Sequence, residues 1–494
     1  NVSTQIKTFL YLHSRALPLK RRGQQKCQRV LEMTLRQMYK KFIMQFSEIK
    51  VSFSAFVSKR PTSIRTTTVK DFVQCLCETC LNAKLKIEAL IRCAGRLGLG
   101  DKLPTECRSL HELADLMVCT EKKMDCYDRL CKNCGQTNLK KCLKTFLECT
   151  EETKWKRWEK TVVEVVVKST QSGEAKSVKQ IKTRNEFVMK NGTLGDLSRE
   201  LLDDLKNIPK HLFIAGHQQQ ERAALHGQLP KETIMFDVDY SENIHITYRE
   251  EPQAAHYIKQ QLTLMPIVAE YWAEKTDLEQ TREEFLVISN DLTHSEVQAD
   301  IFIQEVRHHL RARGLPIDRM REVYFSDRSP NQFSNSNMAW IISKRENCHW
   351  NFFGVRHGKN QSDTAGGNFK TQLTRNILQT GELITTLKDF QELQDKWPQP
   401  QRKFSKRTII TLSLEEVTQR KQNYSKSKIK LKGIKSYHQL KSSGGDERLS
   451  LMQLSCYSCP ACSNEASGIP CQRLSQNPKL YNMSQPGTLL AGKR

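Results

Sequence analysis

Three aspartates in the middle of the chain stand where a polypeptide could gather carboxylates for divalent-metal chemistry. Asp239 ends the strand-like run Thr233 to Tyr240, Asp327 ends the run Arg321 to Asp327, and Asp363 opens a helix that runs through Phe369 to Leu378. Carboxylates that converge repel one another strongly unless divalent cations sit between them. Two Mg²⁺ or Mn²⁺ ions about 4 Å apart can activate the attacking oxygen and stabilise the leaving oxygen of a phosphodiester. Singly, each aspartate has a plainer explanation: Asp239 as a turn residue before Glu242 and Asn243, Asp327 and Asp363 as helix caps. All three at matching topological positions favour metal. Asp237 shares a strand face with Asp239 and could replace it; Asp239 is preferred because it lies nearer the strand end. Glu242 and Asp291 are reserves, Asp291 because it also follows a strand.

The elements that must position these groups can be read from periodicity. Thr233–Tyr240, Gln261–Glu270 and Phe285–Ser289 read as strands. His294 to Arg313 is an amphipathic helix with Val297, Ile301, Val306 and Leu310 inward, closed by Gly314. A strand over 321–327, a helix over 331–343, a strand over 349–355 and the helix after Asp363 follow. Three strands, helix, strand, helix, strand, helix is the order of an RNase H-like α/β core with a five-stranded mixed sheet. In that fold strands one and four are neighbours, so Asp239 and Asp327 would converge and the last helix would bring Asp363 to them.

At these residues the chain resembles transposase-like proteins of animal mobile elements. The carrying motifs are Asp239-Tyr-Ser-Glu-Asn243, Glu251-Pro-Gln253, Phe325-Ser-Asp327 with Gln332, and a block from Trp350 through His357, Gly358, Lys359, Asp363, Gly366 and Gly367 to Lys370. The resemblance covers about 70–475 and is densest over 230–370. It implies an RNase H-like nuclease and strand-transfer domain with an Asp-Asp-Asp triad, acting on the DNA ends of an element, by analogy as an oligomer. Two departures flank the triad: Arg328 and Thr364 stand where such proteins usually carry Gly, which leaves open a domesticated, catalytically inactive DNA-binding zinc protein. Lys359 could hold a DNA phosphate, and His357 could bind phosphate or move a proton.

Seventeen cysteines without a secretory signal argue against a disulfide framework, and all but Cys27 and Cys348 fall in two clusters. Spacing of this kind points to structural zinc. Pairing Cys77 and Cys80 with Cys131 and Cys134 closes one site, with Cys75, Cys126 or Cys142 as replacements; Cys456, Cys459, Cys462 and Cys471 make a second. Cys93, Cys107 and Cys119 read as buried or spare thiols.

A net charge of +24, from 78 Lys and Arg against 54 Asp and Glu, favours a polyanionic partner, and nucleic acid is the commonest one. Lys359, Lys370, Lys428, Lys430 and Lys432 are the candidate contacts. Only 38% of residues are hydrophobic, which suggests compact parts joined by polar connectors. The expected division is a basic helical region (1–70), a cysteine-rich zinc module (71–150), a helical connector (151–230), the RNase H-like domain (231–395), a basic arm (396–450), a Cys₄ module (451–475) and a disordered tail (476–494). The region 1–70 is expected to hold an amphipathic helix over 30–49 and a strand-like or loop stretch over 52–57. Trp155 and Trp158 are expected on one helix face. No run is apolar enough for a membrane span, and a nuclear setting is expected.

Overall fold

A computed structural model describes the chain outside residues 1, 13, 17–28, 32–34, 67–76, 172–173, 247, 249–251, 254–256, 258, 274–279, 359, 397–404, 428, 460–461, 463–470, 472–473, 475, 485–488 and 491–494. The chain divides into two compact units, Asn1–Leu76 and Cys77–Arg494.

In the first unit, helices Val2–Leu12, Leu35–Gln45 and Phe53–Ser58 pack around Phe9, Leu10, Met38, Phe42 and Phe56, beside a small sheet of Ser14–Ala16, Arg29–Leu31 and Ile64–Arg65. Met38 and Phe42 face inward and Arg36, Lys40 and Lys41 outward, as the sequence spacing predicts. The expected helix is shorter at both ends, and Leu31 lies on a strand. The stretch after Ser52 is a helix, not a strand or loop, because the Ser52 hydroxyl accepts the Ala55 amide and caps it.

The second unit begins with helix α1 (Glu78–Arg96), whose buried face of Ile87, Leu90 and Ala94 packs with Leu113, Phe146 and helix α2 (Leu194–Leu205). Between them the expected connector is largely a β-ribbon. Glu152–Gln171 and Glu174–Thr193 pair antiparallel in continuous register, and at about 3.3 Å per residue the ribbon runs roughly 65 Å. Trp155 and Trp158 therefore sit on a strand. Trp155 is buried and donates to Glu200, while the Trp158 backbone exchanges two hydrogen bonds with the Asn82 side chain. Thr193 and Asp196 form a reciprocal capping box that ends the ribbon and starts α2. Helix α3 (Ile208–Gly227) follows, with Pro209 in its first turn.

The remainder is a large mixed sheet with helices. Its strands in chain order are β1 (Thr233–Val238), β2 (Gln261–Trp272), β3 (Gln280–Ser289), β4 (Arg321–Ser326), β5 (Asn347–Phe352), β6 (Ser405–Leu412), β7 (Gln439–Ser443), β8 (Arg448–Met452), β9 (Lys479–Asn482) and β10 (Leu489–Leu490). Their spatial order is β6-β3-β2-β1-β4-β5-β7-β8-β9-β10, and the short strand Ile244–His245 also pairs β2. β1 is antiparallel to β2 and β2 to β3, whereas β4 is parallel to both β1 and β5. Central strands β1 and β4 carry near-continuous buried residues, as strands covered on both faces must. Helices α4 (Glu296–Ala312) and α5 (Ser336–Ser343) contribute to the main core with Phe302, Val306, Met338 and Ile342. Helix α6 (Gln361–Thr380) places Phe369 and Leu373 with Leu262, Leu264 and Leu286.

The sheet does not stop at 395. β6 extends it on one side, and β7 onward extend it on the other. Lys430 and Lys432 do alternate with buried Ile429 and Leu431, yet 426–435 is neither an edge strand nor an arm: the Leu431 and Ser427 amides donate to Ser336 and Asn337, tying the segment to the start of α5. The expected disordered tail contains β9, which pairs with β8. Among the described residues no helix is long and apolar enough to cross a membrane.

Candidate metal centres

β1 and β4 run parallel in a register that pairs Val238 with Ser326, so the next residues, Asp239 and Asp327, leave adjacent strands side by side. Asp363 joins them from the first turn of α6. Asn360 caps that helix by accepting the Ser362 and Asp363 amides, and Asp363 Oδ2 accepts the Asn360 amide at 2.9 Å. Asp363 is thus the reciprocal partner in a capping box, and one of its two oxygens is committed to the cap. Asp327 Oδ1 accepts the Ser329 amide at 3.0 Å.

The carboxyls feel one another's charge. Burial, then the charges of Asp327 and Asp363, push the Asp239 carboxyl well above the usual range. Asp327 is raised too, by burial and by Asp363, against the opposing Ser329 amide. Both are partly buried and Asp363 is exposed, so the group opens to solvent on one side.

Two glycines permit this approach. A Cβ on Gly358 would lie 2.9 Å from Asp327 Cβ and 3.2 Å from its Cα, and one on Gly366 would lie 2.9 Å from Pro266 Cγ and 3.0 Å from Ser241 Oγ. α6 therefore packs directly on the segment following Asp239. Gly366→Ala is expected to destabilise the fold by about 1–3 kcal/mol, because overpacking outweighs the gain in helix propensity. The neighbouring Gly367, with open space around it, should gain up to about 1 kcal/mol as Gly367→Ala. Denaturant unfolding of the two variants checks this; equal effects would contradict the close packing.

The other acidic candidates do not join the group. Asp237, only 1% exposed, is held by Arg222: the guanidinium Nε donates to its oxygens at 2.8 and 3.1 Å, and Nη2 bonds Oδ2. Asp291 pairs with Lys421 at 2.6 Å and accepts from Thr293, contacts that lower its carboxyl despite burial. Glu242 is exposed, and Lys370 donates to its backbone carbonyl at 2.9 Å. Arg328 turns away: its guanidinium bonds the Lys435 and Tyr437 carbonyls and stacks over Phe352, so this departure ties down the 435–438 segment instead of filling the carboxylate site. Thr364 is exposed. Lys359 and Lys428 lie outside the described residues.

Among the described residues the cysteines contribute to three candidate metal groups, not two. Cys77 and Cys80 meet His211 and His357; Cys131 and Cys134 meet Cys119 and Cys126; Cys456, Cys459, Cys462 and Cys471 form the third, and within each group the donor atoms lie within 4.8 Å of one another. Tetrahedral zinc with Zn–S near 2.3 Å and Zn–N near 2.0 Å requires donor separations of about 3.3–3.8 Å. The donors come near these separations: Cys77 Sγ to His211 Nε2 is 3.2 Å, Cys80 Sγ to His357 Nε2 is 3.6 Å, Cys119 Sγ to Cys131 Sγ is 3.6 Å and Cys459 Sγ to Cys471 Sγ is 3.9 Å, while His211 Nε2 and His357 Nε2, at 2.9 Å, are closer than a tetrahedron asks. All three groups could therefore hold structural metal ions.

This corrects the expected pairing of Cys77 and Cys80 with Cys131 and Cys134. Cys119 is a candidate ligand, not a spare thiol, whereas Cys93 and Cys107 are buried. His357 points its Nε2 into the first group, so that nitrogen is not free for phosphate. The spacing of Cys119, Cys126, Cys131 and Cys134 could have found the second group. His211 carries no local signal, being 134 residues from Cys77.

Residues 218–455 match a domain of unknown function, DUF8701, and residues 13–68 match a second, DUF8699. The first runs from within α3 past β8 and includes all three converging aspartates; the second lies in the N-terminal unit. Neither the curated proteins nor the solved structures yield a match.

Proposed function

We propose that the protein is a transposase-like enzyme that cuts and joins DNA strands at a divalent-metal site on an RNase H-like core. The observation that carries this reading is the convergence of Asp239, Asp327 and Asp363 from two adjacent parallel strands and a helix start. In support, β1 to β5 lie in the order 3-2-1-4-5 with only β2 antiparallel to the rest, the arrangement the element order predicts for such a core.

The three carboxylates supply hard oxygen donors whose repulsion two Mg²⁺ or Mn²⁺ ions would relieve. Ions held there would activate an attacking hydroxyl and stabilise the leaving oxygen of the phosphodiester. The chain's own part is to hold Asp239 and Asp327 in fixed register, to keep Asp363 on a capped helix end, and to leave one side open for a DNA strand. In cleavage the new phosphorus–oxygen bond comes from water and the bond to the 3′ oxygen breaks; in strand transfer a 3′ hydroxyl takes the place of water.

The surplus of positive charge supports DNA as the partner. The ribbon adds a surface the sequence reading did not foresee. Among its described side chains it carries Lys154, Lys156, Arg157 and Lys160 on one strand and Arg184 and Lys190 on the other, against four glutamates. A two-stranded ribbon fits the major groove. Exposed Lys430 and Lys432 add to the basic surface. Nuclear residence and self-association on element ends belong to the same reading.

The test is nicking of supercoiled plasmid. The purified chain is expected to nick with Mg²⁺ or Mn²⁺, to stop in chelator, and to lose activity as Asp327→Ala while still binding DNA. If the chain and the variant both bind DNA in a salt-sensitive way and neither nicks, a binding-only zinc protein replaces this reading.

A further inference from the structure

Beyond the carboxylates, the Cys77, Cys80, His211 and His357 group joins elements that are far apart in sequence. Cys77 is the N-cap of α1 and Cys80 lies one turn inside it, so both thiols share a helix face. His211 lies in the first turn of α3. His357 lies in the loop between β5 and α6, immediately before Gly358, the residue in backbone contact with Asp327. The Nε2 atoms of His211 and His357 approach to 2.9 Å.

The loop is fastened by other contacts from the same helices. Arg356 donates to Glu78 of α1 at 2.7 Å, and Gln219 of α3 donates to the His357 carbonyl at 3.3 Å. Arg356 also has a left-handed backbone, φ 61°. Such a conformation costs a non-glycine residue of order 1 kcal/mol or more and persists where surrounding contacts over-determine it. One exposed ion pair and one long amide bond are weak restraints. Four thiol and imidazole donors within zinc-ligand distances of one another are a strong one.

We propose that a zinc ion bound by Cys77, Cys80, His211 and His357 clamps the 354–358 loop onto α1 and α3 and thereby sets the position of Asp327. The zinc site stands on its own donors; the consequence for divalent-metal binding rests on the carboxylate reading above. His211 and His357 are then positioning residues for Asp327, and the helical module built on α1 is a structural part of the carboxylate site.

The test uses the full chain purified with zinc and three readouts: zinc per chain by atomic emission, hydrogen exchange of peptides covering 327–334 and 354–358, and Mn²⁺ binding by its paramagnetic signal. His211→Ala, on an element that contributes no carboxylate, is expected to lose one zinc per chain. Both peptides should exchange at least about tenfold faster, with a comparable loss of Mn²⁺ affinity. His211→Cys supplies an alternative ligand and should restore zinc and protection, which separates ligand loss from misfolding. Cys126→Ser should lose one zinc from the second group and leave both peptides unchanged. Equal zinc in the parent and His211→Ala overturns the site. Lost zinc with unchanged exchange over 327–334 overturns the positioning. Zinc and protection behaving as expected while no form binds Mn²⁺ upholds the clamp and overturns the carboxylate reading instead.

Discussion

Asp239→Asn should melt above the parent protein in metal-free buffer, gain nothing from saturating Mg²⁺, and nick plasmid at least about a hundredfold more slowly. The three effects have one cause. Without cations, burial and then the charges of Asp327 and Asp363 disfavour an ionised Asp239 and push its carboxyl well upward. An amide of the same shape removes one of three mutually repelling charges, a relief on the order of 1–2 kcal/mol. In a unit as long as Cys77–Arg494 that moves the midpoint by only about 1 °C per kcal/mol. In the parent, Mg²⁺ at about a hundredfold excess over its dissociation constant should add about 2.7 kcal/mol by mass action. The variant lacks a ligand and should lose that increment. Calorimetry of both proteins with and without Mg²⁺ checks the stability effects. A variant that melts lower without metal, or rises with Mg²⁺ as the parent does, would mean that Asp239 is an ordinary turn residue.

The central strands of the sheet are legible in the sequence because strand ends carry a local mark: an apolar run stopping at a polar residue. β1, β4 and α4 fall within a few residues of their expected bounds for that reason. Long-range pairing carries no such mark. Cys80 and His357 are 277 residues apart, so no spacing rule connects them, and the more familiar Cys-x-x-Cys pairing drew Cys77 and Cys80 toward the wrong partners. Only Val162–Val167 of the ribbon reads as strand-like in the sequence, because Trp155 and Trp158 fit a helical period and because 171–183 is polar. The ribbon's strands are stabilised by pairing with each other and by a base buried at Trp155; among the described residues no buried face continues beyond that base, Val162 and Ile181 being 67% and 75% exposed. Strands β7 to β9 were missed for a related reason. They extend an existing sheet, so they need fewer apolar residues of their own than a strand that builds a core.

Asp237→Asn should do the opposite of Asp239→Asn, although the two residues are only two apart in sequence. Asp237 is buried, and its main partner is the Arg222 guanidinium, itself 11% exposed, with Glu270 at 3.8 Å beyond it. Glu270 is already engaged by His226 at 2.6 Å and by the Gln361 amide at 2.7 Å. Burial raises the Asp237 carboxyl and Arg222 opposes that, so the attraction between the two works against a desolvation cost. Removing one charge leaves the other buried without adequate compensation, which costs about 3–5 kcal/mol. The same loss is expected for Arg222→Ala. Replacing both by apolar residues of similar volume, as Arg222→Met with Asp237→Leu, should recover much of it. Ser362 complicates a larger change by donating to the Asp237 backbone carbonyl, but that bond involves no Asp237 side-chain atom and survives in every variant. The Mg²⁺-dependent rise in melting temperature should persist in Asp237→Asn, provided it folds at the lower temperature of measurement. Denaturant unfolding with and without Mg²⁺ therefore separates the two aspartates by sign. If Asp237→Asn is as stable as the parent and has lost the response to Mg²⁺, the metal is held at Asp237, and Arg222 must release it when the ion binds.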